Sequence, residues 1–535
     1  MKSLIFGRYA SSISITAGLL AGCGGNQSAP QIPAIQVRPP SNNAEHAQVR
    51  VSHNRVRYIL EDVGTFGGPR SRIFESEQWL LPGGILTGFA DTSRRDPHYP
   101  NCFDYPDCHV IRAFLWKDHT LHDLGTLPHG TSSETIWINA RGDTAGASQN
   151  GVPDPIFGEQ NRAVLWHHGE IHDLGTLGGT FSASTGVNDL GAVAGVAENT
   201  VYDPNPFIPG TTQSRAFLWK DGHMRDLGTL GGTDAFGQDI NNRGQVAGFS
   251  YTGKTQGSIS VVDPFLWSPS RYGGHMVDLG GFGGTFGAVN ALNDRGEAVG
   301  FSNLAGDQTA HPFLWRDGKL INLGTLGGSF GYAQWINEAG VAVGWAGESD
   351  DVTIHGALWR HPSRITDLAP LADDNCSFGY GINAHDEVVG TSFAEPSSCN
   401  WPSSSQTDMR AVLWQDGSIV NLNDVVAPGS RLRLVIAFDV DDAGDISGTG
   451  LPPGVRIVDQ ELKGHAFVLV PCERLGNPKP CGEKVTHRSV VTRNVAPRSI
   501  PKSQKPFETL TGLAAIRAVV ARYFHLAAFG SSEQY

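Results

Sequence analysis

The sequence is poor in charged residues, which make up 17% of its 535 positions, and its net charge is −13. A protein that binds nucleic acid needs basic residues clustered on one face, so this charge balance excludes nucleic acid as an expected partner. Low charge together with 67 glycines also argues against long helices and favours many short strands joined by tight turns. We therefore expect an all-β protein.

Recognisable cofactor and metal motifs are missing as well. The sequence has no His-Glu-x-x-His, Cys-x-x-Cys or calcium-loop spacing, which are patterns by which such sites are recognised. A recurrent Gly-Thr-Leu-Gly-Gly element lacks the Lys-Ser/Thr of a phosphate loop and precedes a strand, whereas phosphate loops precede a helix. We interpret this element as a turn, and we expect neither a cofactor nor a metal.

The N-terminal residues have the features of an export signal. Lys2 and Arg8 flank the start of an apolar stretch, residues 9–22, that is too short to span a bilayer. Residues 20–23 read Leu-Ala-Gly-Cys and resemble the lipobox of bacterial lipoproteins. This resemblance implies cleavage before Cys23, which then carries acyl chains that hold the protein to a membrane.

The residues around this signal indicate the organisation of the N-terminal region. Gly24 follows the cysteine, and the absence of the Asp that favours the inner membrane in enterobacteria indicates the outer membrane or cell surface. We assign residues 1–22 to a lipoprotein signal peptide. Residues 23–54, rich in Gln, Pro, Ser and Asn, follow as the lipidated cysteine and a flexible tether.

The remaining six cysteines support export. They fall into three local pairs in loop-like sequence, as expected for disulfides formed in an oxidising compartment. The pairs are Cys102 with Cys108, Cys376 with Cys399, and Cys472 with Cys481. Sequence alone leaves the connectivity open, because six cysteines allow other pairings.

Most of the chain is built from repeats. Residues 173–195 read DLGTLGGTFSASTGVNDLGAVAG, and close copies begin at residues 226, 278 and 322. Three landmarks each occur eight times, in full or degenerate form: an Asp-Leu-Gly, an Asn-x-x-Gly, and a block ending in Trp. Such periodicity indicates a repeat architecture before any single residue is considered.

One repeat contains four predicted strands. In the copy that begins at Asp173, these are residues 183–187, 192–196, 215–219 and 224–227, with Asn/Asp/Gly turns typical of hairpins. Four strands in about 50 residues are typical of a propeller blade. The array begins with an isolated fourth strand near residue 58 and ends with an isolated third strand near residue 465. Pairing of these two strands predicts a closed eight-bladed β-propeller over residues 55–471, because closure leaves no free sheet edge.

The C-terminal residues have a different character. Residues 472–505 are basic and rich in proline, and we interpret them as a linker. Residues 506–530 have apolar positions at helical spacing, which predicts an amphipathic helix. Such a helix packs against the side of the propeller or binds a membrane surface or partner.

The repeat pattern resembles the HAF-repeat family of bacterial exported proteins. The name corresponds to His465-Ala466-Phe467 of this sequence. Most copies keep only part of this triplet, so the histidine does not recur as a ring of metal ligands. The resemblance implies an exported repeat protein and carries no established enzymatic activity.

Candidate ligand-binding residues are the aromatic side chains that follow the glycine-rich element. If the first strand of each repeat lines the central channel, these rings could stack on sugars, although packing between blades explains them as well. They are Phe181, Phe236, Phe286, Phe330, Tyr332, Phe378 and Tyr380.

Acidic residues leave a second hypothesis open. Glu134 and Asp239 occupy channel-side stretches, and Asp107 and His109 lie beside the first cysteine pair, but nothing in the sequence brings them together. We therefore predict a monomeric, non-catalytic binding or scaffold module for a glycan or an envelope protein. The alternative is a carbohydrate-active propeller hydrolase or lyase that uses channel carboxylates, which requires two carboxyl groups about 5–10 Å apart.

Overall fold

The structure is a computed structural model that describes residues 58–73, 78–104, 107–208, 210–360, 364–395, 399, 408–426 and 430–474. These ranges contain 33 strands, one short helix (α1, Gln460–Lys463) and three 3₁₀ turns (Leu422–Asp424, Ile457–Asp459 and Cys472–Arg474). The protein is all-β, as its composition predicts. The predicted signal peptide, tether and C-terminal helix lie outside the described residues, as does the linker after residue 474.

The strands form antiparallel groups of four, or of five in the first group, which we call units 1 to 8 in chain order. A single parallel bridge, between Val262 and Phe286, joins units 4 and 5 into one sheet. A single strand, β1 (Tyr58–Asp62), precedes the units. Unit 1 consists of β2 (Gly67–Arg72), the short β3 (Leu80–Leu81), β4 (Ile85–Arg95), β5 (His109–Lys117) and β6 (Thr120–Asp123). Unit 2 consists of β7 (Ser133–Ile138), β8 (Thr144–Asp154), β9 (Gly158–His167) and β10 (Glu170–Asp173). Unit 3 consists of β11 (Ser182–Val187), β12 (Val193–Tyr202), β13 (Thr212–Lys220) and β14 (His223–Asp226).

The second half of the array has the same organisation. Unit 4 consists of β15 (Ala235–Ile240), β16 (Val246–Gln256), β17 (Ile259–Ser268) and β18 (His275–Asp278). Unit 5 consists of β19 (Gly283–Leu292), β20 (Ala298–Leu304), β21 (Ala310–Arg316) and β22 (Lys319–Asn322). Unit 6 consists of β23 (Gly327–Ile336), β24 (Val341–Glu348), β25 (Ile354–Arg360) and β26 (Arg364–Leu368). Unit 7 consists of β27 (Cys376–Ile382), β28 (Val388–Phe393), β29 (Met409–Gln415) and β30 (Ser418–Asn421). Unit 8 consists of β31 (Arg433–Val440), β32 (Ile446–Leu451), β33 (His465–Pro471) and β1.

The predicted pairing of the two chain-end strands is present. β1 pairs antiparallel with β33, so that Asp62 lies opposite Phe467, and it serves as the fourth strand of unit 8. The four strands predicted for the repeat at Asp173 are also present, as β11 to β14. The architecture is therefore propeller-like, with the core in layers between neighbouring units.

The Asn-x-x-Gly landmark forms the turn between the first and second strands and also links each unit to the next. In unit 3, the Asn188 side-chain oxygen accepts hydrogen bonds from the N–H groups of Leu190 and Ala192. Its amide nitrogen donates to the carbonyl oxygen of Asn241 in unit 4, at 3.0 Å. The same amide-to-carbonyl bond joins Asn139 to Asn188, Asn241 to Asn293, Asn293 to Asn337, Asn337 to Asn383, and Asn383 to Asp441.

Hydrogen bonds of a different kind join unit 8 to unit 1. The carboxylate of Asp445 accepts hydrogen bonds from the N–H groups of Gly83 and Gly84, at 2.9 and 3.0 Å. The N–H of Ile138 in unit 2 donates to the carbonyl oxygen of Gln78. Hydrogen bonds near the first turns thus connect every unit to its neighbours in the described part of the chain.

The glycine that ends each copy of the repeat, in the second strand, is required by a β-bulge. The first strand of unit 4 has a register shift at Gln238, between Gly237 and Asp239. The preceding carbonyl, that of Phe236, approaches the second strand so closely that a Cβ on Gly248 would lie 1.9 Å from its oxygen. Only glycine permits such an approach, which explains why a glycine recurs at the end of each copy.

Two tryptophans bring together the first strands of units that are distant in sequence. Trp137 of unit 2 and Trp335 of unit 6 each follow a bulge, and their ring centroids are 5.9 Å apart. Units 2 and 6 are four units apart along the chain, so this contact is consistent with the propeller-like arrangement.

A polar pair joins the third and fourth strands at the position of the HAF histidine. In units 1 to 3 an arginine faces the Asp of the Asp-Leu-Gly landmark, as Arg215 faces Asp226 at 3.8 Å. In units 6 and 8 a histidine takes this place, and His465 binds Asp62 at 2.9 Å. In units 6 and 8 the histidine of this triplet is thus part of a local pair with an aspartate of the same unit.

Two of the predicted disulfides are present, Cys102–Cys108 and Cys376–Cys399. Cys472 is also disulfide-bonded, and its predicted partner Cys481 lies outside the described residues. Disulfides indicate folding in an oxidising, exported environment. Within the described ranges, none of the helices has the length and apolar character needed to cross a membrane.

Candidate functional site

A set of equivalent side chains on the first strands is the best candidate for a site, and we call it the inner layer. Each member is the residue whose carbonyl faces the glycine that ends the copy, in the second strand. The members, from unit 1 to unit 8, are Arg72, Glu134, Ala183, Phe236, Ala288, Tyr332, Phe378 and Ile436. The layer is charged in units 1 and 2 and aromatic in units 4, 6 and 7, so the repeats differ most in chemistry here.

The aromatic side of the inner layer continues onto the second strands. Tyr332 stacks between Phe301 of unit 5 and Trp345 of unit 6, with ring centroids 4.6 and 4.8 Å away. The Tyr332 hydroxyl donates to the side-chain oxygen of Asn290. All three stacked rings are half-buried, and partly exposed aromatic faces are suited to stacking on flat apolar ligand surfaces.

A buried amide lies on the same strand as Tyr332. Gln334 occupies the bulge position of unit 6, between Tyr332 and Trp335 in sequence. Its side chain is fully buried, and neither amide atom has a hydrogen-bond partner. Buried polar groups are normally hydrogen-bonded, so Gln334 is an exception at a position that solvent does not reach.

The structure separates the seven predicted aromatic residues into two classes. Phe330 and Tyr332 are half-buried, and both lie in unit 6. The other five are buried in the core between units: Phe181, Phe236, Phe286, Phe378 and Tyr380.

Loops of units 1 to 3 cover the aromatic residues on their side of the layer. The connections between second and third strands contribute Phe103, Phe157 and Phe207, which pack into one hydrophobic cluster with Phe181 and Phe236. Phe157 stacks on Phe181 with a centroid separation of 4.9 Å. This half of the layer is therefore closed by the protein's own side chains, and the half near unit 6 is the more accessible.

The charged side of the inner layer contains one carboxyl group. Burial raises the pKa of Glu134 to about 8, although the nearby guanidinium of Arg72 opposes this shift. A carboxyl group with such a pKa is protonated at neutral pH and can act as an acid. The neighbouring position holds a cation, so the described inner layer does not supply the second carboxylate of a glycosidase pair.

The other predicted channel carboxylate has a structural role. The two oxygens of Asp239 accept hydrogen bonds from the N–H groups of Ile240 and of Leu292 in unit 5, at 2.6 and 2.7 Å. Burial raises the pKa of Asp239 to about 7 in spite of these bonds. Asp439 has the same environment in unit 8. Both carboxylates hold a neighbouring first strand in place.

The acidic residues beside the first disulfide form a buried ion network. Arg70 binds Asp91 at 3.1 Å and also contacts Asp104, and all three side chains are buried. Burial raises the pKa of Asp91, and the carboxylate of Asp107 adds to the effect. Asp107 also lies 3.7 Å from the imidazole of His109. The fold thus brings together groups that the sequence left unconnected, and Arg70 neutralises part of their charge.

One hydrolase-like pattern is present in the sequence. Residues 327–331 read Gly-Gly-Ser-Phe-Gly, which fits the Gly-x-Ser-x-Gly pattern of a nucleophile elbow. That elbow requires a sharp turn from a strand into a helix, whereas these residues begin strand β23. The N–H of Ser329 donates to the carboxylate of Asp351. The pattern is therefore a strand start and not an elbow.

Comparisons with known proteins add little to this geometry. No protein-family model matches the sequence, and no curated protein is significantly similar to it. Among solved structures, an acylaminoacyl peptidase in complex with Z-Gly-Gly-Phe-chloromethyl ketone is similar over 75% of this chain, with 10% identity and a TM-score of 0.37. The chain spans 59% of that protein's length. A protein proposed to be a gluconolactonase is similar over 36% of this chain and 66% of its own, with 14% identity and a TM-score of 0.19.

Proposed function

We propose that the protein is a lipid-anchored, monomeric binding module of the cell envelope, and that it binds a glycan at the unit 6 side of the inner layer. The observation that carries the proposal is the half-buried stack of Phe301, Tyr332 and Trp345. Stacked aromatic faces beside a hydrogen-bonding amide, here that of Asn290, suit a ligand with both apolar and polar faces. An envelope protein that inserts an apolar side chain is the other ligand considered.

The architecture we propose for this module is a closed eight-bladed propeller of the HAF-repeat type. Pairing of β1 with β33 and the asparagine series between units support closure. A rigid ring with variable loops on one face is a common scaffold for binding. We further propose that Cys23 carries the lipid and that the outer membrane or cell surface holds the protein.

The distribution of carboxylates supports binding without catalysis. Asp239 is engaged by backbone N–H groups, and Glu134 lies next to Arg72. A two-carboxylate glycosidase needs a second acid on the opposite side of the scissile bond. Glu134 alone keeps the alternative hydrolase or lyase testable, because burial raises its pKa to about 8.

The test is a binding and release assay on the purified protein. The protein is incubated with peptidoglycan and with a panel of insoluble polysaccharides, and both its retention and the release of soluble sugar are measured. The test variants are Tyr332→Leu and Trp345→Leu. The matched control is Phe249→Leu, because Phe249 has the register position of Trp345 in unit 4 but is fully buried.

Retention without sugar release, lost in the two test variants and kept in the control, supports the proposal. Retention that survives Tyr332→Leu and Trp345→Leu shows that the ligand binds elsewhere. Sugar release that disappears in Glu134→Gln identifies an enzyme instead. Cooperative unfolding of each variant serves as the check on folding.

The anchor is tested separately by Cys23→Ser. The wild-type protein should incorporate a labelled fatty acid and this variant should not, because the thiol of Cys23 is the group that would carry the acyl chains. A wild-type protein without label, or a variant that is labelled as strongly, contradicts the proposed lipidation.

A further inference from the structure

Three metal-ligating side chains meet on the outer part of unit 6. Glu348 ends β24, His355 lies near the start of β25, and Asp367 lies in β26. The Nδ1 atom of His355 is 2.9 Å from an oxygen of Asp367 and 3.5 Å from an oxygen of Glu348. One donor atom of each residue lies within 4.8 Å of the others.

Strand register creates this cluster. β25 pairs with β24 on one side, where His355 is opposite Ala346, and with β26 on the other, where Asp367 is opposite Ala357. The His355 side chain, at the edge of the middle strand, is therefore between an acid from each neighbouring strand. The side chains remain accessible, with relative exposures of 16% for His355, 30% for Glu348 and 43% for Asp367.

Other units lack one or more of the three groups. Leu304 occupies in unit 5 the position that Glu348 occupies in unit 6. Each residue forms a parallel β-bridge to the residue just before the first strand of its unit, and its carbonyl oxygen accepts a hydrogen bond from a backbone N–H of the turn that follows. His311 of unit 5 faces Asn322 instead of a carboxylate. His465 of unit 8 has a single acidic partner, Asp62. Among the described residues, unit 6 alone brings one ligand atom from each of three such residues within 4.8 Å of one another. His98 also has two acidic neighbours, but Asp96 and Glu159 contact opposite nitrogens of its ring.

The turn that carries Glu348 is held rigidly. The carboxylate of Asp350 accepts hydrogen bonds from the N–H groups of Val352 and Thr353 and from the Thr353 hydroxyl, at 2.7 to 2.9 Å. The N–H of Glu348 donates across the turn to the carbonyl oxygen of Thr353. Preorganised ligands of this kind bind a metal with little reordering.

We propose that Glu348, His355 and Asp367 form a binding site for a divalent transition-metal ion, with Zn²⁺ as the first candidate. Zn²⁺ binds nitrogen and oxygen at about 2.0–2.2 Å, which places neighbouring ligand atoms of a tetrahedron roughly 3.3 Å apart. The observed separations of 2.9 and 3.5 Å lie on either side of that value. The exposed side of the cluster leaves room for a water molecule as the fourth ligand.

Charge and donor type favour a transition metal over calcium. Two carboxylates and a neutral imidazole carry two negative charges, which a divalent ion balances. Calcium prefers six to eight oxygen ligands, whereas imidazole suits Zn²⁺, Ni²⁺ and Cu²⁺. On binding, the Nδ1 lone pair of His355 replaces the hydrogen bond to Asp367, and the imidazole proton resides on Nε2. This site is separate from the inner layer and does not depend on the proposed function.

The proposal is tested by metal titration of the purified full chain after treatment with a chelator. Zn²⁺ binding is measured by competition with a chromophoric chelator, and Co²⁺ is used as a spectroscopic probe of the coordination. The test variants are His355→Ala and Glu348→Leu, of which the second reproduces the residue found in unit 5. The control is His465→Asn, which removes a histidine–aspartate pair that lacks the third ligand.

The wild-type chain and the control should bind one more equivalent of Zn²⁺ than either test variant, or bind it at least about a hundredfold more tightly, because loss of a direct ligand exceeds the cost of losing an outer one. Co²⁺ should give the visible absorption of a site with nitrogen and oxygen ligands, which the test variants lack. Equal Zn²⁺ binding by wild type and both test variants overturns the proposal. Calcium binding that His355→Ala does not weaken overturns the assignment to a transition metal. Thermal unfolding in chelator, equal in all four proteins, excludes misfolding as the cause.

Discussion

Asp263 is the position at which unit 4 departs most clearly from the other units, and we expect Asp263→Arg to stabilise the protein. Units 1 to 3 have an arginine here that faces an aspartate, as Arg215 faces Asp226. In unit 4 Asp263 takes the place of this arginine, and the residue that it faces, Asp278, is also acidic. The Nζ atom of Lys254 lies 4.0 Å from an oxygen of Asp278. Burial and the charge of Asp278 raise the pKa of Asp263 from 3.8 to about 6.

The sign of the effect follows from this pKa. A carboxyl group whose pKa is higher in the folded state than in the unfolded state binds its proton more tightly when the protein is folded. Its contribution to stability is therefore complete below the unfolded pKa and is lost as the pH rises through the folded pKa of about 6. A shift of about two pKa units corresponds to roughly 3 kcal/mol by linkage. Because Asp263 is half-exposed, screening reduces this value to about 1–2 kcal/mol.

The expected gain combines two terms. Asp263→Arg removes the ionised carboxylate and adds an exposed pair with Asp278, which contributes about 0.2–1 kcal/mol. We therefore expect the free energy of unfolding to increase by about 2 kcal/mol at pH 8 and by less than about 1 kcal/mol at pH 4. The measurement is urea denaturation of both proteins at pH 4, 6 and 8.

Two variants separate these terms. Asp263→Asn should give only the part that comes from removing the charge. Arg215→Asp reproduces the unit 4 arrangement in unit 3, facing Asp226, and should lose stability as the pH rises. A gain from Asp263→Arg that is the same at pH 4 and pH 8, or no gain at pH 8, refutes the reasoning.

Three further predictions concern the fold. Asn188→Ala removes a 3.0 Å bond to unit 4 and two bonds within its own turn and should cost about 3 kcal/mol in chemical denaturation; a cost below about 1 kcal/mol contradicts a role in joining units. Gly248→Ala should destabilise by more than about 3 kcal/mol, because its Cβ would lie 1.9 Å from a carbonyl oxygen. Gly347→Ala, whose nearest atom would be 3.5 Å away, is the tolerated control in the same assay. Replacing Cys376 and Cys399 together with alanine opens a loop of 23 residues and should lower stability by about 3 kcal/mol, whereas reducing agent should then have less effect on the variant than on the wild type.

The repeat landmarks predicted the local structure well because each has a physical requirement. The Asn-x-x-Gly turn places Gly191 at a φ of +74°, which glycine adopts without strain. The four strands follow because apolar residues alternate between such turns. The sequence also predicts that the first and last strands of the array share one sheet, because each lacks a neighbouring strand of its own repeat.

The accessibility of the candidate site could not be predicted in the same way. Phe181 and Phe330 follow the same glycine-rich element in their repeats, yet Phe181 is buried and Phe330 is half-buried. The difference arises from Phe157, which stacks on Phe181 from a loop that does not repeat. Burial thus depends on loop conformation, about which the periodic sequence carries no information.

The cluster in unit 6 could have been suspected from an alignment of the repeats. His355 replaces the arginine of units 1 to 3, and Glu348 replaces Leu304 of unit 5. Neither change signifies a metal site alone, because the distance between them is set by the register of β24 and β25. Departures between repeats, and not the landmarks themselves, are therefore the positions on which the proposed metal site rests.

The pairing of β1 with β33 has a consequence for the order of folding. Asp62 and Phe467 are opposite each other, although about 400 residues separate them, and closing a loop of this length has an entropic cost that later contacts must repay. Units 2 to 7 pair only strands that are close in sequence and can form as the chain emerges. Unit 8 can form only after β33 has been synthesised. Until then, β1 has no partner strand for its backbone N–H and C=O groups. The tendency to aggregate during export therefore depends on how quickly β33 pairs with β1.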